Sequence, residues 1–329
     1  MKNVIVPIFV PHMGCPHACV FCNQFHITGQ WAPPNADTLR EKARAWKESA
    51  GMVPELAFYG GSFTAINLEV QNKLLEIASE LKANGEISRI RLSTRPDALG
   101  EEVLERLKKY HVDTVEIGVQ SLDAEVLLAA GRGHTVDTTV NAIRRVKRYG
   151  FNCGAQMMVA LPGDTPEKSI ETCRQVISLS PDFVRIYPTA VIKDTELEKM
   201  YNEGRYIPWT FDLIIDTVAE MVMLLEAKKI PAIRIGLQAE DQLTNGDVVA
   251  GAYHPALGEY VKSRIFRKKM KALLNPIEKE AICFNVGPKY VSQAIGQHRE
   301  NIKYLMDESG QKIIVKPNDQ ILGNGIERR

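Results

Sequence analysis

Short apolar runs alternate with longer amphipathic stretches from the first residues to about residue 190, and this alternation constrains the fold more than any other feature of the chain. The strand-like runs are Val4–Val10, Leu56–Tyr59, Ile90–Ser93, Thr114–Val119, Cys153–Leu161 and Phe183–Tyr187. Between them, apolar residues recur at helical spacing, as in Leu68, Val70, Leu74, Leu75, Ile77 and Leu81, or Val103, Leu104 and Leu107. Strand–helix alternation of this length predicts parallel strands joined by crossover helices. Six such units predict an α/β fold, a partial (β/α)6 barrel, with functional groups gathered on the loops that follow the strands. A continuous helical pattern from Phe211 to Leu225 follows, and Pro231 introduces a further strand over Ala232–Leu237.

The loop after the first strand carries Cys15, Cys19 and Cys22 in the spacing C-x3-C-x2-C. Thiolates this close can all face one metal centre, and an odd number cannot pair off as disulfides. Three ligands are one fewer than a closed structural zinc site or an ordinary iron–sulfur cluster takes. A [4Fe–4S] cluster on three cysteines leaves one iron open to an outside ligand, whereas zinc would need a fourth ligand such as His12, His17 or His26. The later strand ends carry Gly60-Gly61-Ser62-Phe63, Thr94-Arg95-Pro96-Asp97, Gly118-Val119-Gln120-Ser121, Arg132-Gly133-His134, Leu161-Pro162-Gly163-Asp164-Thr165 and Arg185-Ile186-Tyr187-Pro188. Paired glycines let a ligand approach the backbone closely. Each segment also has a plainer reading: a tight turn at Gly60-Gly61, a surface ion pair at Arg95, a helix cap at Asp164 or Thr165. Their gathering at one barrel mouth points to a binding site.

The cysteine loop, with Phe21 before its third cysteine, resembles the cluster motif of the radical S-adenosylmethionine (SAM) enzymes. Together, the strand-end segments are similar to the radical-SAM domain of the Elongator catalytic subunit family over about residues 1 to 240, and more distantly to oxygen-independent coproporphyrinogen oxidase. The resemblance implies a [4Fe–4S] cluster on Cys15, Cys19 and Cys22, whose open iron holds SAM and whose electron cleaves it to a 5′-deoxyadenosyl radical. It also implies that Phe21, Gly60, Gly61, Ser62, Arg95, Gln120 and Arg185 line the cofactor or substrate. Ser62 stands where that family often has threonine, and either supplies a hydroxyl. The implied substrate is RNA, specifically tRNA, and the implied electron donor is a ferredoxin or flavodoxin. An acetyltransferase domain of the Elongator kind has no room in 329 residues, so a separate acyltransferase would have to supply an acyl group.

A net charge of +1 leaves any phosphate-binding surface to a local patch. Lys262, Arg264, Arg267, Lys268, Lys269 and Lys271 form a run with no acid among them. A solvated helix face is the ordinary meaning of such a run, but the single sign favours phosphate contacts from Arg267, Lys268, Lys269 and Lys271. Beyond it, a strand (281–286), a helix (288–295), the turn Gly296-Gln297-His298-Arg299, a helix (300–308) and a strand (312–316) are similar to the minimal core of a KH domain. That resemblance implies RNA contacts from the turn. The domain reading is therefore a radical-SAM barrel (1–240), a barrel-closing loop and basic connector (241–275) and a small α+β KH-like module (276–329). His254 and Glu259 are candidate proton relays or RNA contacts, with a structured loop as the plainer reading. Cys153, Cys173 and Cys283 read as reduced core residues. No apolar run reaches membrane-spanning length and no signal peptide is evident, so a cytoplasmic protein is expected. Three functions remain open at this level: a tRNA-modifying radical enzyme, a radical enzyme acting on a small molecule or protein, and a non-catalytic RNA-binding protein with a structural or sensing cluster.

Overall fold

The computed structural model describes residues 4–10, 15, 17–23, 34–237, 246–274 and 281–328. His12 and His26 lie outside them. Its main sheet has seven strands in the order β1 (Ile5–Val10), β2 (Glu55–Gly60), β3 (Arg89–Thr94), β4 (Thr114–Gln120), β5 (Asn152–Val159), β6 (Phe183–Pro188) and β8 (Ala232–Ile235), with β7 (Ala190–Ile192) outside it. Every neighbouring pair in this sheet is parallel. The expected six units are therefore present, extended by the strand after Pro231.

Helices α1 (Ala36–Ala50), α2 (Leu68–Ala83), α3 (Glu101–Lys109), α4 (Ala124–Ala129), α5 (Val136–Arg148) and α6 (Pro166–Ser178) return the chain between strands. Side-chain oxygens of Asn35, Asn67, Asp123, Thr135 and Thr165 accept from the first free backbone amides of their helices, which fixes where each begins. Thr165, not Asp164, is the cap of α6. One face of the sheet is apolar: Leu56, Phe58, Ile90, Leu92, Val115, Ile117, Cys153, Ala155, Val184 and Ile186 are wholly buried against the helices.

The other face is polar. Alternation along each strand places Glu55 and Tyr59, Arg91 and Ser93, Glu116, Gln156, and Arg185 on the concave side. Arg91 Nη2 meets Glu55 at 2.9 Å, its Nη1 meets Glu116 at 2.6 Å, and Arg185 Nη2 donates to Glu116 at 3.1 Å. Tyr59 Oη donates to Glu116 at 3.1 Å and Gln156 Nε2 donates at 2.8 Å. Burial acts to raise the pKa of Glu116, but Arg185 and Arg91 more than offset it and hold the carboxyl below its usual value.

Beyond the sheet come α7 (Glu196–Asn202), α8 (Phe211–Ala227), β9 (Val248–Gly251), antiparallel to β7, and α9 (Leu257–Ala272). Leu257, Val261 and Ile265 of α9 belong to the main core, while Phe266 and Met270 belong to a second core with Phe284, Ala294, Leu305 and Ile313. That second core lies under β10 (Ile282–Val286), α10 (Val291–Ile295), α11 (Glu300–Ser309), β11 (Ile313–Pro317) and β12 (Ile326–Arg328), in the strand order β11-β10-β12. The strand–helix–turn–helix–strand order read from the sequence is present, and β12, antiparallel to β10, adds to it. No described helix is long and apolar enough to cross a membrane.

Removing the Glu116 charge while keeping its shape isolates the concave network. Glu116→Gln leaves buried guanidinium charge unopposed and should cost about 3 kcal/mol or more of unfolding free energy in urea. Glu101→Gln, which removes an exposed partner of Arg148, should leave the midpoint unchanged.

Candidate active site

The cysteine loop folds over the C-terminal ends of β1 to β4. Val20 N donates to Ala130 O at 3.1 Å, Leu197 N to Val20 O at 2.8 Å, and Cys22 N to Cys19 O at 3.0 Å. Phe21 anchors it among Val126, Ala130 and Leu161. The chain on the far side must come unusually close. Gly131 and Gly133 have φ of 64° and 71°, and a Cβ on Gly133 would stand 2.4 Å from the His17 ring.

These contacts enclose a pocket of about 190 Å³ whose wall includes Cys15, Cys19, Cys22, Phe21, Gly60, Gly61, Ser62, Arg95 and Gln120. Nine of the sequence-derived site residues thus come together. Cys15 Sγ donates to Ser62 Oγ at 3.3 Å, tying the first cysteine to the glycine turn. Gly60 has φ of 101° and Gly61 N is held by Val10 O, which keeps this turn close to the cysteines. Gln120 has a left-handed backbone (φ 62°), and its Oε1 is buried with no partner. A strained residue presenting an unmatched acceptor to a pocket marks a group held for a ligand.

Arg185 is a correction. It lies below the pocket, where its guanidinium is committed to Glu116 and Tyr59, so it supports the floor and is not part of the wall. His254 and Glu259 are also elsewhere: His254 packs tilted against Phe211 and edge-on to Tyr260, and Glu259 pairs with Lys262 and Gln293. Thr94 and Arg132, from the strand-end segments, are also in the wall, and Ser93 and Gln156 are wall residues that those segments did not include. Arg132 sits between two glycines, a visible signal, but nothing in the sequence says toward which group it turns.

The basic run finds most of its acids on other helices. Arg264 pairs with Asp212 and Asp216 of α8, Arg267 with Glu300 of α11 at 3.0 Å, and Lys271 with Glu308 at 2.8 Å. Lys268 and Lys269 lie 3.9 and 3.6 Å from Glu220 and Glu226. The charge is thus largely spent on joining α9 to its neighbours. By contrast His298 and Arg299 are exposed, on a turn where both have positive φ (50° and 63°). Gly296 leads into that turn, while Gln297 Oε1 is buried without a partner.

The pocket suits an iron–sulfur cube. Three thiols face it, two guanidiniums reach Cys19 Sγ, at 3.3 Å from Arg132 and 3.8 Å from Arg95, and the glycine turn and Gln120 offer backbone and amide groups beside them. Among the described residues no trio of His, Cys, Asp or Glu converges on one metal point. A cube binds its thiolates at separate corners, so its ligands need not converge as those of a single zinc ion do.

Residues 9–176 match the profile of the radical SAM superfamily, and residues 181–267 that of the radical SAM C-terminal domain. The chain belongs to the radical SAM superfamily, whose enzymes use a [4Fe–4S] cluster and SAM. It is 27% identical to a tRNA uridine(34) acetyltransferase of Dehalococcoides mccartyi over 73% of this chain and 62% of that one. It is 27% identical to Elongator complex protein 3 of Saccharomyces cerevisiae over 68% of this chain and 48% of that one. Among solved structures, the Elp3 of Methanocaldococcus infernus with an N-terminal deletion superposes with a TM-score of 0.64 at 22% identity, covering 88% of this chain and 67% of that one. The chain spans about three-fifths of the length of the first curated relatives it matches.

At the same rim, burial pushes Asp164 up to about 6, against hydrogen bonds from Ser169 and Ala160. The folded protein holds this proton more tightly than the unfolded chain. The stabilising contribution is therefore present below about pH 4 and lost as pH rises through about 6. Asp164→Asn should flatten that slope: denaturation midpoints of the two proteins should diverge between about pH 4 and 7, with the parent losing ground. Parallel curves would contradict the assignment.

Proposed function

We propose that this chain is a radical SAM enzyme that reductively cleaves SAM and acts in tRNA modification. The observation that carries the reading is the meeting of Cys15, Cys19 and Cys22 with the Gly60-Gly61-Ser62 turn and the unmatched Gln120 amide in one pocket. When bound, the cluster and SAM supply a 5′-deoxyadenosyl radical, the species that abstracts a hydrogen atom. Cys15, Cys19 and Cys22 hold the cluster in this reading, and Ser62 orients Cys15. Gly60 and Gly61 offer backbone groups to the amino end of SAM, while Gln120 offers its Oε1 to a donor on the cofactor. Phe21, packed among Val126, Ala130 and Leu161, and the buried Cys19 close part of the wall against water.

The tRNA substrate is supported by the relatives named for uridine-34 acetylation and for the Elongator complex. The exposed turn at His298 and Arg299 is the surface we assign to RNA, in a module of KH-like order, since the α9 cations already have acid partners. The barrel (1–240) would thus do the chemistry and the module (276–329) would hold the nucleic acid. The reading calls for a low-potential electron donor of the ferredoxin or flavodoxin type.

Anaerobic reconstitution with iron and sulfide, followed by dithionite and SAM, should yield 5′-deoxyadenosine, and Cys19→Ala should abolish it. Product that persists in the variant sinks the cluster assignment. Arg299→Glu should weaken tRNA retention across sequences and lower the salt slope of binding by about one, leaving 5′-deoxyadenosine formation in place. Mass spectrometry of tRNA nucleosides from cells with and without the protein identifies the modified base; identical profiles would contradict the tRNA reading.

A further inference from the structure

Aromatic side chains gain most when their rings are packed, so rings that line a cavity instead of filling it call for an explanation. Pro208 and Trp209, before α8, Phe211 at its start, and Tyr253 and His254, after β9, wall a cavity of about 280 Å³. Phe211, His254 and Tyr260 hold one another in place. Tyr260 stands edge-on to both other rings, at centroid distances of 5.2 Å from Phe211 and 5.0 Å from His254. Gly251, with φ of 97°, turns the chain out of β9, and Tyr253 N donates back to Gly251 O at 3.0 Å, which sets the tyrosine.

Among the described residues, no acidic, lysine or arginine side chain lines this cavity, which suits it to an uncharged group. Polar capacity is left over beside the rings. Tyr253 Oη is buried with no partner, and Ala256 N donates to His254 Nδ1 at 3.0 Å, which leaves the proton of the neutral ring on Nε2. A flat, uncharged ring with hydrogen-bonding edges meets both conditions, and a nucleobase is such a group. The volume lies just below the roughly 300–1,000 Å³ of pockets for whole drug-sized ligands, which leaves room for one ring system.

The cavity adjoins two regions already described. In the ribbon of β7 and β9, Val191 and Ala250 pack in one cluster with Val20 and Phe21 of the cysteine loop, while Ala190 and Ile192 pack in another with Tyr253. On the other side, Arg264 donates to Asp212, next to Phe211, at 2.7 Å and lies 3.9 Å from Glu300, next to Arg299. The exposed turn at His298 and Arg299 and the cysteine loop are thus both neighbours of the aromatic cavity.

We infer that this cavity takes an unpaired nucleobase of the bound RNA by stacking, at a subsite apart from the nucleotide that reacts. Trp209 supplies the largest stacking face, and Tyr253 Oη and His254 Nε2 supply the hydrogen-bonding groups. The inference rests on the tRNA reading made above and adds a base-binding element to it.

The test titrates the full chain with oligouridylate and with an abasic oligomer of equal length. The parent should bind the base-bearing oligomer about tenfold more tightly. Trp209→Ala should bring that ratio close to one, Trp209→Phe should keep most of it, and Tyr253→Phe should lower it part of the way. Arg299→Glu should weaken both oligomers alike and leave the ratio standing. A parent ratio near one, or an undiminished ratio in a folded Trp209→Ala protein, overturns the subsite, and retention of tRNA by the parent then leaves the tRNA reading in place. If Trp209→Ala does not unfold cooperatively, the protein carrying Trp31→Phe and Trp46→Phe decides, because Trp209 is its one remaining tryptophan. Fluorescence quenched by oligouridylate and not by the abasic oligomer supports the subsite; quenching by neither, or by both equally, overturns it. A parent that retains neither oligomer nor tRNA overturns the tRNA reading together with the subsite.

Discussion

Glu116 sits at the centre of the sheet's concave face and has no exposure at all, yet it is charged. Two arginines, a tyrosine and a glutamine converge on it from four other strands. An apolar filling would close a barrel of this size into a packed core. A matched ionic filling keeps the interior polar and fixes the strands relative to one another. It also builds a floor: Arg185 and Tyr59 lie beneath the pocket, and Gln156 reaches from the network into its wall. The site at the mouth depends on this network because it stands on it.

Parallel strands all end on one rim, and several residues there leave ordinary backbone conformation. Gly60, Gln120, Ala160, Gly131, Gly133 and Gly163 all have positive φ there. For Gln120 and Ala160 such a conformation costs energy that only the surrounding structure can impose. Unmatched polar groups collect at the same place, namely Gln120 Oε1, Arg132 Nε, His134 Nε2 and one oxygen of Asp164. Strain and unsatisfied polarity coincide at this rim, beside the pocket.

Helix α9 shows how local reading goes astray. Its cations are clustered from Lys262 to Lys271 with no acid among them, which is the pattern of a phosphate-binding surface. In space, acids from α8 and α11, more than thirty residues away, line up against it. The helix also divides its apolar residues between two cores, so its charges act as edge contacts around a shared strut. His298 and Arg299, adjacent and exposed, come from a turn where charge density in the sequence is unremarkable.

The sequence by itself determined the strand–helix alternation, the strand after Pro231, the order of the C-terminal elements and the three cysteines. These follow from periodicity and spacing, which are properties of neighbours along the chain. It also placed Gly60, Gly61, Ser62, Arg95 and Gln120 at strand ends, and parallel topology then carries strand ends to one mouth. Only the tertiary structure decided that Arg185 faces Glu116 below the pocket, that Arg132 turns onto Cys19, and that the α9 cations meet acids of α8 and α11. Each of these is a pairing between residues far apart in the chain, and register and helix packing choose such partners only when the fold closes.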